Sequence, residues 1–482
     1  MLNALAPDRW NHGAAAHLLN RAGFGGTPAE IEKLAGLGLE KAVETLVEFE
    51  ATEDPTADPD WAQPDPERFA RDRAMRDASP NEKREMRQKE QRAQREKIND
   101  LRTWWLRRMA EGPRPLVEKL VLFWHGHFAT SAQKVRDGYF MWRQNDIFRR
   151  HGSGSWLALL TEVSKDPAML VWLDQAQSKK QHPNENFARE VMELFALGEG
   201  HYTERDITEA ARAFTGWTLD RANGAFVYRP NNHDPGVKTV FGKTGRFNGD
   251  DVLKLIVKQP QASRFITRKL WSFFAAEDPS EELVDRLASE FRQSGQNFKP
   301  VLRAMFMSEE FYAPEVVRQQ VKSPVQWLVG TVRLLERDLP PGPVCAATLR
   351  QLGQDLLMPP NVKGWDGGLS WVNTSNLIHR YNYAGFLVLG ENPLIEPKQM
   401  KNRRRERLPG ARVELARTIL QETRGNKSKI MAALQKRFIQ GELRPENQSA
   451  LRAYLDAQGE LDEIDILHAI RLVLCTPEFQ LA

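Results

Sequence analysis

Cysteine is nearly absent from this 482-residue sequence, which has only Cys345 and Cys475, 130 positions apart. That excludes a disulfide scaffold and any Cys-rich zinc module. Long apolar runs are missing too, and none approaches the roughly 18–20 residues that a membrane span requires. Nor does charge of one sign dominate: 68 Lys and Arg against 64 Asp and Glu leave a formal +4. So weak a field does not argue for a nucleic-acid partner. Residues Met1 to His12 lack the basic-then-apolar layout of a secretory signal, so a cytoplasmic location is expected. No Walker loop, GxSxG elbow, HExxH pair or kinase signature occurs. What is present, 41% hydrophobic and 27% charged residues, is a globular composition. The length suits one large or two modest domains.

Helical periodicity dominates. Thr27-Pro28-Ala29-Glu30 reads as a capping box after a glycine-ended helix, and one helix is expected over 102–125. Residues 81–100 are almost all polar, with both signs mixed, and read as a solvated helix laced with i,i+4 pairs or as a mobile arm. The exception to helix is 218–247, where Phe226, Val227, Tyr228, Val240 and Phe241 stand among Asn, Gly and Pro. That pattern predicts a small β-hairpin or loop insertion. Residues 358–376 read as a long loop whose tryptophans, Trp365 and Trp371, pack down. The bases of 401–407 form a link, with no interleaved aromatic residues to suggest nucleic acid. One internal echo stands out: Leu302 to Phe311 matches Ile470 to Phe479, with Arg, hydroxyl, Glu and Phe in register. It predicts one helix-ending device used twice.

Three segments hold residues suited to chemistry. In Trp124-His125-Gly126-His127-Phe128, a continuing helix would set the two imidazoles about 160–200° apart, since each residue turns roughly 100°. If Gly126 broke the helix, an extended His-Gly-His would place both on one side and offer a chelate. From Asn184 to Gly198 an amphipathic helix carries Glu185, Arg189, Glu190 and Glu193 on its polar side. Such a face is either a bridged surface or, turned into a cleft, a source of carboxylates for a hard metal. In the insertion, His233-Asp234 with Lys238 four on supplies a base, a carboxylate and an ammonium, or an ordinary Asp-Pro turn.

Taken in order, these blocks resemble the bacterial DUF1800 family. The resemblance is carried by His17 to Gly25, Phe123 to Ser131, Pro183 to Leu194, Glu209 to Trp217, His233-Asp234, Lys322-Ser323-Pro324 and Asn361 to Trp365. It implies a bacterial protein and keeps the His-x-His, Asn-Glu-Asn and His-Asp elements together, but lends no reaction, cofactor or catalytic residue. Many members look secreted or sit beside a sulfatase-like family.

The expected fold is mainly α, a multi-helix assembly with the small insertion near 218–247. Its core would span 1–400, including the charged 50–100 segment, with a helical subdomain over 401–482. Two functions are open. In one, a metal-dependent enzyme, a hydrolase rather than an oxidase, has His125, His127 and His233 as nitrogen ligands and Glu190, Glu193 and Asp234 as oxygen ligands. Such a set suits zinc, manganese or iron with a bound water as nucleophile. Glu185 would be the general base, while Arg189 or Lys238 holds developing negative charge. In the other, a non-catalytic helical scaffold binds a protein or glycan partner through the loop of Trp365 and Trp371.

Overall fold

The computed structural model describes residues 2–220, 223–390 and 410–482, so the basic link 401–407 lies outside the described residues. Helices begin where capping chemistry puts them. Thr27 and Glu30 close a capping box, Asn184 accepts from Phe187 N, and Ser323 caps a helix with Pro324 in its first turn. Among the described residues the architecture is mainly α. No helix there is long and apolar enough to cross a membrane. The expected insertion is two hairpins: Trp217–Leu219 pairs antiparallel with Phe226–Tyr228, and Lys238–Val240 with Lys243–Gly245.

The single helix expected over 102–125 is in fact two, Pro80–Glu111 and Pro115–His127. Gly112-Pro113-Arg114 separates them, because prolines 113 and 115 have no N–H to continue the ladder. The charged 81–100 stretch is the front of the 80–111 helix, where Arg92 pairs with Glu96 at 3.0 Å. Its rear half buries Ile98, Leu101, Trp105 and Met109 at helical spacing.

Helix Pro115–His127 occupies the centre. It packs against helices His12–Ala22, Leu39–Val47, Pro80–Glu111 and Gly138–His151, and so is apolar nearly all round. Its Trp124 is fully buried, stacked on Phe128 and Trp156.

The echoed segments end their helices alike. Ser308 Oγ accepts from Phe311 N at 3.3 Å and donates to Met305 O; Thr476 Oγ1 accepts from Phe479 N at 3.4 Å and donates to Val473 O. Each phenylalanine is buried, and each has its carbonyl bound by a side chain from afar: His17 Nε2 at Phe311 O (3.0 Å) and Lys322 Nζ at Phe479 O (2.8 Å).

Candidate functional site

Helix 115–127 runs through Gly126 without a break, so its two imidazoles leave opposite sides of the axis. Both are buried. Leu357 N donates to His125 Nε2 at 3.1 Å, which leaves the proton of the neutral ring on Nδ1. His127 has the other tautomer: its Nε2 donates to Phe195 O at 2.9 Å, and its Nδ1 is buried without a partner. Burial, reinforced by Arg102, pushes His125 down to about 3; burial and then Lys269 take His127 well below the usual range. Between them, Gly126 O lies against Gly364, a residue with φ +86° on the tryptophan-bearing loop. The His-Gly-His block therefore seats two irregular segments, loop 352–371 and the turn around Phe195.

That turn is unusual. Helix Glu185–Glu190 passes into a π-helical segment, Val191–Leu197, which ends at Gly198 with φ +85°. The wider coil frees carbonyls that neighbouring side chains bind: His127 at Phe195 O, Gln261 at Leu197 O (3.2 Å) and Lys269 at Leu194 O (3.5 Å). The polar face is occupied. Arg189 grips Glu204 bidentately at 2.8 and 2.7 Å, Tyr202 donates to Glu193, and Thr208 donates to Glu185 at 3.0 Å. Glu190 is half-buried, and burial together with Glu193 raises its carboxyl, against the pull of Arg189 and Lys363.

His233, Asp234 and Lys238 belong to a third network, inside the insertion. Asp234 accepts from Arg212 Nε at 2.7 Å and from Gly236 N at 2.8 Å; the Arg212 guanidinium holds it below the usual carboxylate range. Lys238 Nζ donates to the carbonyls of Asp234 (2.6 Å) and Gly236 (3.0 Å), and His233 Nδ1 lies 3.0 Å from Thr215 O. The six expected metal ligands are thus divided among three networks. Among the described residues, no group of three or more His, Cys, Asp or Glu side chains is placed to hold a metal ion.

The buried imidazoles set an acid response. His17, His125 and His127 all titrate below 6.5 in the folded chain, chiefly through burial, so below pH 6.5 the unfolded chain takes up protons that the folded one refuses. Asp166, raised to about 7 by burial, opposes them, because the folded chain keeps a proton that the unfolded carboxyl loses near 3.9. Asp146 and Glu190 are raised as well, but His233 and His12 are lowered along with these three imidazoles, so on balance unfolding takes up protons between pH 6.5 and 4.5. Stability is expected to fall across that window, and urea midpoints measured at intervals of pH check it.

One concavity gathers side chains from all over the chain. A cleft of about 390 Å³ lies between helices Pro115–His127 and Pro260–Phe274, the start of helix Pro324–Leu334 and loop 354–371. One wall is aromatic: Trp371 is buried, and half-buried Trp365 leans on the His125 ring at 5.4 Å. Amide and hydroxyl side chains, among them Gln326, Gln354, Ser272 and Ser323, line the cleft too, beside apolar Leu122, Phe123 and Val321. Exposed Glu277, Asp278 and Asp366 stand at the rim. Two lysines of the surrounding helices line the cleft. Lys119 is 3% exposed, with its Nζ 5.1 Å from the Phe24 ring and 5.7 Å from that of Phe273. Lys269 is one helical turn before Phe273, on the same side, and burial lowers it to about 8.

Sequence reasoning placed Trp365 and Trp371 in this region but missed both lysines and the glutamines. A signal for Lys119 existed: from Leu116 to Trp124, Glu118 and Lys119 are the only charges in a run apolar on every side.

Compared with known families, residues 17–481 match the one described as "Protein of unknown function (DUF1800)". No curated protein and no solved structure matches the chain.

Proposed function

The chain belongs to the DUF1800 family, whose description assigns no activity, and from its own side chains we propose that it is a saccharide-binding protein with its ligand in the tryptophan-walled cleft. The single observation that carries this is the lining itself: Trp365 and Trp371 share one cleft with the amide and hydroxyl side chains of Gln326, Gln354, Ser272 and Ser323. A sugar ring has apolar C–H faces and a hydroxylated edge, so it needs a flat apolar platform flanked by short hydrogen-bonding groups. A cleft of this size suits a small ligand with a few convergent polar partners. A protein partner would call for a broader contact, of about 800 Å² per side. The metal-dependent hydrolase gains no such support, because among the described residues no three of its intended ligands gather into a group that could hold a metal ion.

Trp365→Ala is expected to weaken binding of oligosaccharides identified on a glycan array by about tenfold or more, as loss of an aromatic anchor does. Glu190→Gln should leave that affinity within about twofold. Isothermal titration with the captured glycan measures both. The opposite pattern, an unaffected Trp365 variant and a disabled Glu190 variant, would discard this reading.

A further inference from the structure

We propose that the inner end of this cleft is an oxyanion subsite, in which the Lys119 ammonium, with Lys269 farther along the same cleft, receives the single acidic group of a sugar acid. The inference rests on the saccharide reading of the cleft and adds the ligand's charge. Elsewhere the fold gives its buried cations acceptors. Arg108 and Arg149 share the carboxylate of Glu118, Lys322 Nζ bonds Phe479 O at 2.8 Å, and Arg380 bonds Lys322 O at 2.7 Å. Arg21, although without a carboxylate, reaches the carbonyls of Ala275 and Val316 and the side chain of Gln320.

Lys119 differs. Among the described residues it has no hydrogen-bond acceptor and no ion-pair partner, only the faces of Phe24 and Phe273. Ring faces compensate a buried ammonium only in part. Burial, and then Arg21, push the Lys119 ammonium well below the ordinary lysine range, a shift that a bound anion would offset, and Lys269 lines the same cleft. His127, whose Nδ1 is buried without a partner, lines the cleft too. Lys119 lines the cleft, so a bound molecule there can supply the acceptor that the described residues do not. The rim sets how much charge the ligand carries: Glu277, Asp278 and Asp366 outnumber the one exposed base there, Lys363, and would repel a polyanion but accept hydrogen bonds from hydroxyls. One acidic group at the inner end and a neutral hydroxylated remainder meet both conditions. Carboxylate, sulfate and phosphate share that chemistry.

The test uses the full chain. Thermal midpoints are compared in sodium acetate, sulfate and phosphate against chloride at equal ionic strength. Titrations follow with glucuronate, glucose 6-sulfate, glucose 6-phosphate and neutral glucose. At least one oxyanion should raise the midpoint of the wild type but not of Lys119→Met, and the matching acidic sugar should bind about tenfold tighter than glucose. Lys119→Met should erase that preference, so that the acidic sugar and glucose bind alike. Should that variant fail to fold, Lys269→Met, at a partly exposed position, should narrow the preference about threefold or more. Equal anion responses in wild type and both variants, or none in any, would overturn the subsite. An anion response that depends on Lys119, with no sugar bound at all, would uphold the subsite and retire the saccharide reading instead.

Discussion

Glu118→Leu is expected to lower the unfolding free energy by about 3–5 kcal/mol, the usual cost of removing one partner from a buried ion network. The carboxylate is 2% exposed and bound on all sides. Arg108 Nε donates to it at 2.9 Å, Arg149 at 2.8 and 2.9 Å, and Trp105 Nε1 at 3.0 Å. Burial alone would push the carboxyl up, yet Arg149 and Arg108 hold it below its ordinary value. Leucine would leave two guanidinium groups and an indole N–H in a dry interior. Asp54 still reaches Arg108, and Asn145 still reaches Arg149 at 2.8 Å, so the loss stays short of two unpaired charges. Urea denaturation measures it. A companion variant, Glu118→Leu with Arg149→Met, should recover much of the loss, because removing charges in pairs costs less than stranding one. A loss of under about 1 kcal/mol for the single variant would mean that water enters and the network is not truly buried.

Gly364→Ala should produce the second large effect, on the cleft itself. With φ at +86°, Gly364 holds a conformation that costs L-residues about 1–2 kcal/mol. An added Cβ there would also fall inside contact distance of Gly126 O. The tryptophan loop would have to lift from its seat, and the affinity for the captured glycan should fall about tenfold or more. Hydrogen exchange across 357–371 should rise in parallel. Gly126→Ala is the control. A Cβ at Gly126 meets nothing within 4 Å, and in a helix alanine is favoured by about 0.8–1 kcal/mol, so this variant should keep or gain stability. Equal damage from both substitutions would show that the contact is not directional.

What the sequence made legible was local. The Thr27 capping box, the Asn184 and Ser323 caps, the insertion near 218–247 and the doubled Ser308/Thr476 device each depend on a few neighbouring residues. Periodicity carried one helix across Gly112-Pro113-Arg114, although the missing prolyl N–H groups were there to be read. The two outcomes for His125 and His127 turned on one backbone choice at Gly126, which packing from four surrounding helices made. Other features left no local trace. The π-helical turn at 191–197 shows itself only when His127, Gln261 and Lys269 claim its carbonyls. His125 is bonded to a backbone N–H 232 residues on, a distance no sequence pattern spans. The cleft is the extreme case, since its walls come from residues around 119, 269, 323 and 365.

That dispersal has a bearing on the order of events during synthesis. A nascent chain emerges amino end first, so Lys119 appears long before Trp365. Until the late loop arrives and Leu357 N meets His125, the ammonium can keep its hydration shell. Stripping that water is thereby deferred to a final docking step, in which Arg102 takes Leu356 O and Asp355 and Ala132 N takes Leu357 O, so that the last loop to arrive fastens the helices made before it.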